Sequence, residues 1–254
     1  VRRVFRLMLP AVFGVSVAQI NLLINTILAS FLVTGSVSWL YYSDRLMEFP
    51  LGVFGVALAT VILPNLSKKH QRASHQSFSH TLDWALRWAW LVGLPATVGL
   101  IVLAGPMLVT LFNYGAFTAH DVNMTRLSLI AFAAGLLGFL LIKVLATGFY
   151  ARQDMKTPVR VGVIALLANI GFSLALVFTL AHTGLALATS LAAFVNAGLL
   201  YRGLRRAGSY RPLPGWPWLL ARIMLASTGM GALLWWGAGE LSAWLSAQAR
   251  LAMY

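Results

Sequence analysis

The feature that most constrains this chain is a succession of apolar segments, each about 20 residues or longer, separated by short stretches that alternate between strongly basic and uncharged. Segments of that length cross a hydrocarbon layer about 30 Å thick as helices, and longer ones tilt or protrude. Seven candidate spans are read at roughly 8–32, 39–66, 84–104, 127–150, 159–181, 184–203 and 217–238. The tail "RLAMY" (250–254) reads as the first turn of an eighth. Hydrophobic residues make up 59% of the chain and charged residues 10%. A soluble domain carries about 25% charged residues, so a water-soluble fold is excluded. No ten-residue alternation of the kind a membrane barrel needs recurs. The expected fold is all-α: a polytopic membrane helical bundle of about seven transmembrane helices plus the start of an eighth.

The distribution of Lys and Arg sets the orientation. Arg2, Arg3 and Arg6 precede the first span, and Lys68, Lys69 and Arg72 follow the second. Arg152, Lys156 and Arg160 follow the fourth, and Arg202, Arg205, Arg206 and Arg211 follow the sixth. The alternate loops carry no charge at 33–38 and 182–184, and only Asp121 across 105–125. The amino end is therefore expected on the cytoplasmic side. This asymmetry accounts for most of the net charge of +13, which argues against nucleic acid as a partner. The chain starts at Val1 without a signal-peptide pattern and reads as a piece of a longer protein beginning just before a span. Cysteine is absent, so there is no disulfide framework and no thiol chemistry.

The second span holds the stretch "WLYYSDRLMEFP", with three charges in five positions. At about 100° per residue, Glu48 falls about 40° from Asp44, Tyr41 about 60° and Arg45 about 100°, all on one face. Asp44 and Glu48 are spaced i,i+4, and Arg45 and Glu48 i,i+3, both contact spacings. Gly52, Gly55 and Ala59 continue the arc, while Pro50 removes a backbone hydrogen bond and is expected to kink the helix. Three readings stand open: charges at the outer water interface, an ion pair between helices, or the wall of a water-filled cavity. In the third, Arg45 contacts an anion, since its planar fork grips a phosphate at two points.

Lys143, in "LLGFLLIKVLATGFY", either snorkels towards the basic side or serves a cavity as its cation. Asn21 and Asn25, and Asn169 and Ser173, have the spacing of hydrogen-bonding pairs between membrane helices. Arg87 and Arg222 lie near the basic ends of their spans, where interfacial anchoring is the simple reading. The loop "GPMLVTLFNYGAFTAHDVN" is apolar enough for a short interfacial helix, and Trp216, Trp218, Trp235, Trp236 and Trp244 suit lipid anchoring. His70, His75 and His80 have no ligand spacing and read as a solvated loop, so no metal site and no cofactor are expected. No P-loop, serine nucleophile elbow or acid pair for magnesium pyrophosphate occurs. Only Asp44 and Glu48 read as intramembrane acids, so an enzyme is poorly supported.

The segment "SVSWLYYSDRLMEFPLGVFGVALATVILPNLS" resembles the signature of the MurJ/MviN lipid II flippases, in the multidrug/oligosaccharidyl-lipid/polysaccharide exporter superfamily. "GFYARQDMKTPVR" is similar to that family's loop between helices ten and eleven, and "VRRVFRLMLPAVFGVSVAQINLLINT" to the start of its helix seven. The family has two six-helix lobes around a central cavity, plus helices thirteen and fourteen forming a groove for a lipid tail. The resemblance implies that this chain is helices seven to thirteen and the start of fourteen, without the amino-terminal lobe. Residues 1–207 would be the carboxy-terminal lobe, and 208–254 the extra helix of the groove with the start of the next.

By position the resemblance carries cavity roles onto Asp44, Arg45 and Glu48, sets Lys143 on helix ten, and puts Arg222 at the start of helix thirteen by the tail groove. These five are the expected substrate-binding residues. Some members bind sodium with carboxylates among helices seven, eleven and twelve; here the matching spans offer Asn21, Asn25 and Asn169 and no acid. The implied activity is translocation of the undecaprenyl-pyrophosphate-linked disaccharide-pentapeptide (lipid II) from the inner to the outer leaflet of the bacterial cytoplasmic membrane, without covalent chemistry. Membrane lipids are implied partners, and cell-wall synthesis proteins are candidates. The rivals are a sibling exporter of other lipid-linked saccharides or small cations, a membrane scaffold for wall-synthesis proteins, and a membrane prenyl-pyrophosphate enzyme.

Overall fold

The computed structural model describes residues 16–17, 19–71 and 75–251. Arg2, Arg3, Arg6, Arg72 and the last residues of the tail lie outside them. The elements are α1 (Gln19–Ser30), α2 (Ser36–Gln71), α3 (His75–Phe112), α4 (Ala119–Tyr150), α5 (Lys156–Arg206), α6 (Trp216–Ala238) and α7 (Leu241–Leu251). Helices α2 to α6 are each long and apolar enough to cross a membrane. The chain is a multi-pass membrane protein built of helices.

Helix α4 is the axis of the bundle. Its buried positions run along most of its length, from Val122 to Phe149, because α2, α3 and α5 all pack on it. Small residues let them approach. A methyl at Gly135 would come within 2.7 Å of the Ser190 Cα, and Ser190 donates to the Ala131 carbonyl at 2.7 Å. In a membrane such close backbone contact and polar bonding replace the hydrophobic drive available in water.

The fifth and sixth expected spans are the two arms of α5. They reverse at a single residue, Ala181, with φ 48° and ψ −129°, and Gly184 lies so close to Leu176 that a Cβ there would meet its carbonyl oxygen at 2.5 Å. This hairpin lies at the same end of the bundle as the starts of α2 and α4. Trp39 donates to Asp121 at 2.8 Å and stacks against His182 at 4.9 Å, and the His182 Nε2 lies 3.2 Å from the Met124 carbonyl. The charge-poor connections thus gather at one end, where Arg126 is an exposed positive charge that the alternation did not anticipate.

Three expectations need correction. The segment 105–123 is not a separate interfacial helix. Residues 105–112 extend α3, where Leu108 and Val109 are buried, and α4 starts at Ala119 on a capping box between Thr118 and Asp121. Nor are His70, His75 and His80 in a loop: they fall in the last turn of α2 and the first turns of α3. The last helix begins at Leu241 rather than at residue 250, after a break at Gly239 with φ 65°. Helix α2 runs on through Pro50 and Pro64, both inside it.

Candidate functional site

Helix α2 has one packed face and one bare face. Ser43 is fully buried, its hydroxyl donating to the Trp39 carbonyl at 2.6 Å and the Thr125 carbonyl at 3.0 Å, and Leu46, Met47 and Pro50 are buried beside it. Turning away from that seam brings Tyr41, Arg45, Glu48 and Phe49 to the surface. There Arg45 donates to Glu48 at 2.8 Å, and its guanidinium lies 5.1 Å above the Tyr41 ring. The i,i+3 contact read from the sequence is therefore made. The two side chains remain 57% and 49% exposed, so the pair is held in place yet open to a further ligand. Asp44 is half-buried at the edge of the same face.

The small-residue arc does not all follow that face. Gly52 is exposed, whereas Gly55 is buried beneath Lys143, whose Cδ would meet a Cβ there at 2.6 Å. The missing side chain at Gly55 gives the lysine stem its path across α2. Lys143 lines a half-open cavity of about 820 Å³ bordered by α1, α2, α4 and both arms of α5. None of Asp44, Arg45 and Glu48 lines that cavity. Arg222 belongs to neither place: it is exposed on α6, with its guanidinium 4.6 Å above the Trp218 ring. The five expected binding residues therefore form one cluster, Asp44 with Arg45 and Glu48, and two separate positions.

Beside the Lys143 cavity is an asparagine cluster. Asn169 donates to the Asn21 Oδ1 at 2.6 Å and the Asn25 Oδ1 at 3.2 Å, and Asn25 donates to Thr189 at 3.1 Å. The expected interhelical bonding joins α1 to both arms of α5. Ser173 is buried nearby without a partner among the described residues. No group of three acids, histidines or cysteines able to hold a metal occurs among the described residues, and no carboxylate joins the asparagines.

One cluster escaped the sequence reading. Asp83 on α3 has no exposed surface. It accepts from Arg87 at 2.7 Å, Tyr210 at 2.7 Å, Trp216 at 2.8 Å and the Leu213 amide at 3.1 Å. Arg87 also donates to the Pro214 carbonyl at 2.9 Å, and Ser79 exchanges hydrogen bonds with the Arg211 backbone. Arg87 and Trp216 are thus tied into the protein, and α3 carries a buried acid that the sequence reading did not count as intramembrane. Burial, with the bond to Asp83, raises the Tyr210 hydroxyl well above an ordinary phenol. The clasp fastens the connection between α5 and α6 onto α3. The only hint in the sequence was the i,i+4 spacing of Asp83 and Arg87, since the other partners lie some 130 residues away.

Comparison with known proteins agrees with this architecture. The family described as "Lipid II flippase MurJ" matches residues 1–251. A protein of Vibrio cholerae serotype O1 named probable lipid II flippase MurJ is 53% identical over 240 residues, covering 94% of this chain and 46% of that protein. The lipid II flippase MurJ of Burkholderia cenocepacia is 45% identical over 236 residues, covering 93% of this chain and 46% of its own length. The chain thus spans about half the length of the curated relatives it matches. Among solved structures, lipid II flippase MurJ in an inward closed conformation superposes with a TM-score of 0.78 at 28% identity, over 89% of this chain and 46% of that one. An outward-facing MATE family transporter of the MOP superfamily gives 0.71 at 16% identity, over 90% and 52%, a likeness of fold.

Proposed function

This chain belongs to the lipid II flippase MurJ family, and from that membership together with the bare charged face of α2 we propose that it forms one half of a flippase for lipid II. Residues 1–207 act as one lobe of the transporter, and 208–254 carry the first helix of the lipid-tail groove with the start of the next. The membrane is the bacterial cytoplasmic membrane. The basic ends of the helices face the cytoplasm, and the end with Trp39, Asp121 and His182 faces outward.

The observation that carries this reading is the half-exposed Arg45–Glu48 pair in the first half of a membrane-crossing helix. An arginine facing acyl chains costs up to about 3 kcal/mol by insertion scales, most at the bilayer centre, and its carboxylate partner adds to that. A face meeting water and a second lobe avoids the penalty. On that face Arg45 engages the pyrophosphate with the donors that Glu48 leaves free, while Glu48 and the Tyr41 ring hold the guanidinium in register. Asp44 lies at the margin and limits how far the anion moves along the helix. The lobes rock about this site, so the headgroup is exposed to one leaflet and then the other, and no bond of the substrate changes. Arg222, stacked on Trp218, contacts the substrate's lipid portion from α6.

The test is rescue of a cell depleted of its own flippase by the full-length protein carrying Arg45→Ala or Arg45→Glu. Neither variant supports growth at normal membrane abundance, and Arg45→Lys does so weakly because it keeps charge without the fork. Growth of Arg45→Glu at the wild-type rate would refute the assignment.

A further inference from the structure

Away from the α2 face, we infer that the half-open cavity between α1, α4 and the two arms of α5 is a second binding site, for a phosphoryl anion, with Lys143 as its counter-charge. The cavity exists because its walls carry small residues where three helices converge: Ala146 on α4, Gly162 and Ala165 on the first arm of α5, and Ala193 on the second. Into that space project polar groups that the fold leaves unused. Lys143 makes no hydrogen bond or ion pair among the described residues, and neither do the side chains of Tyr150 and Asn196.

Charge identifies the class of ligand. The chain has six acidic residues, Asp44, Glu48, Asp83, Asp121, Asp154 and Glu240, and none lines the cavity. Asp83 is taken up by its clasp, Asp121 by Thr118 and Trp39, and Asp154 by Thr157. A lysine within an apolar span requires an anion or water, and this one has no anion from its own chain. The Tyr150 hydroxyl and the Asn196 amide add donors to the ammonium, a set suited to several oxygens of one phosphoryl group. The ligand carries net negative charge, as hydrogen phosphate and the phosphatidylglycerol headgroup do. Tyr150 and Met155 place one side of the cavity at the basic end of the bundle, where Arg152, Lys156 and Arg160 concentrate anions.

The experiment uses the full-length protein in nanodiscs, as wild type, Lys143→Met and Arg45→Ala. Lys143→Met keeps the length of the side chain and removes no bond, so folding is preserved. One arm titrates inorganic phosphate against chloride at constant ionic strength and reads thermal stabilisation. The other compares retention of phosphatidylglycerol and phosphatidylcholine by native mass spectrometry. The expected result is a phosphoryl ligand in wild type and in Arg45→Ala, weakened about tenfold or more in Lys143→Met. Phosphate stabilisation identifies the free anion, and selective retention of phosphatidylglycerol identifies the lipid. Binding in neither arm, equal binding in Lys143→Met, or loss in Arg45→Ala alone would overturn the site. Because Arg45→Ala separates rescue of growth from this binding, failure here leaves the flippase assignment standing, and the converse holds.

Discussion

A buried carboxylate is tolerated only when its oxygens are fully engaged, and Asp83 shows how much of the molecule one such residue can organise. Asp83→Ala leaves the Tyr210 hydroxyl, the Trp216 indole and the Leu213 amide without their acceptor. The expected loss is about 3 kcal/mol, read as a lowered melting temperature and faster hydrogen exchange at 207–216. Tyr210→Phe removes one donor and costs about 1 kcal/mol near neutral pH. It also changes the alkaline limb of stability. In the native protein the Tyr210 hydroxyl loses its proton at higher pH than in the unfolded chain. Its contribution is therefore full below the free phenol value near 10 and falls as pH rises beyond it. Tyr210→Phe lacks that fall, which melting curves against pH would detect. At this scale legibility followed sequence distance. The Arg45–Glu48 contact follows from helical spacing, whereas the partners of Asp83 are brought in from the far side of α5, and no local pattern announces them.

Among the elements, the α5 hairpin and the α4–α5 seam carry the most specific geometry. Ala181 holds a positive φ that favours glycine, a strain of order 1–3 kcal/mol offset in part by the greater freedom glycine gives the unfolded chain. Ala181→Gly is therefore expected to stabilise the protein by about 1 kcal/mol, measured as a raised melting temperature. Gly135→Ala does the opposite. Its methyl would lie 2.7 Å from the Ser190 Cα, forcing the seam apart at a cost of about 1–3 kcal/mol and lengthening the Ser190 bond to Ala131. Hydropathy found the spans from the second to the seventh because a bilayer demands continuous apolar length. It missed their true ends. Residues 105–112 and 241–251 are helical where Leu108, Val109, Leu241 and Leu245 pack into one apolar cluster, with no change in composition to mark it. Hydropathy also gave no sign that Lys143 would cross Gly55 into a cavity, which depends on how α2 and α4 are apposed.

For the molecule as a whole, the uncovered side of α2 decides the interpretation. One face is sealed against α4 by Ser43, Leu46 and Met47, and the other carries an ion pair that no element among the described residues covers. Such a face fits a lobe whose counterpart lies across a cavity and does not fit a bundle ringed by lipid. The most direct measurement is photocrosslinking in membranes from the full-length protein, with a photoreactive amino acid at Tyr41, one turn before Arg45, and a control at Phe178, which is 87% exposed. The prediction is capture of lipid II from Tyr41 and only bulk phospholipid from Phe178. Capture of bulk phospholipid alone at both positions would mean that this face of α2 lies against acyl chains, and would contradict the account.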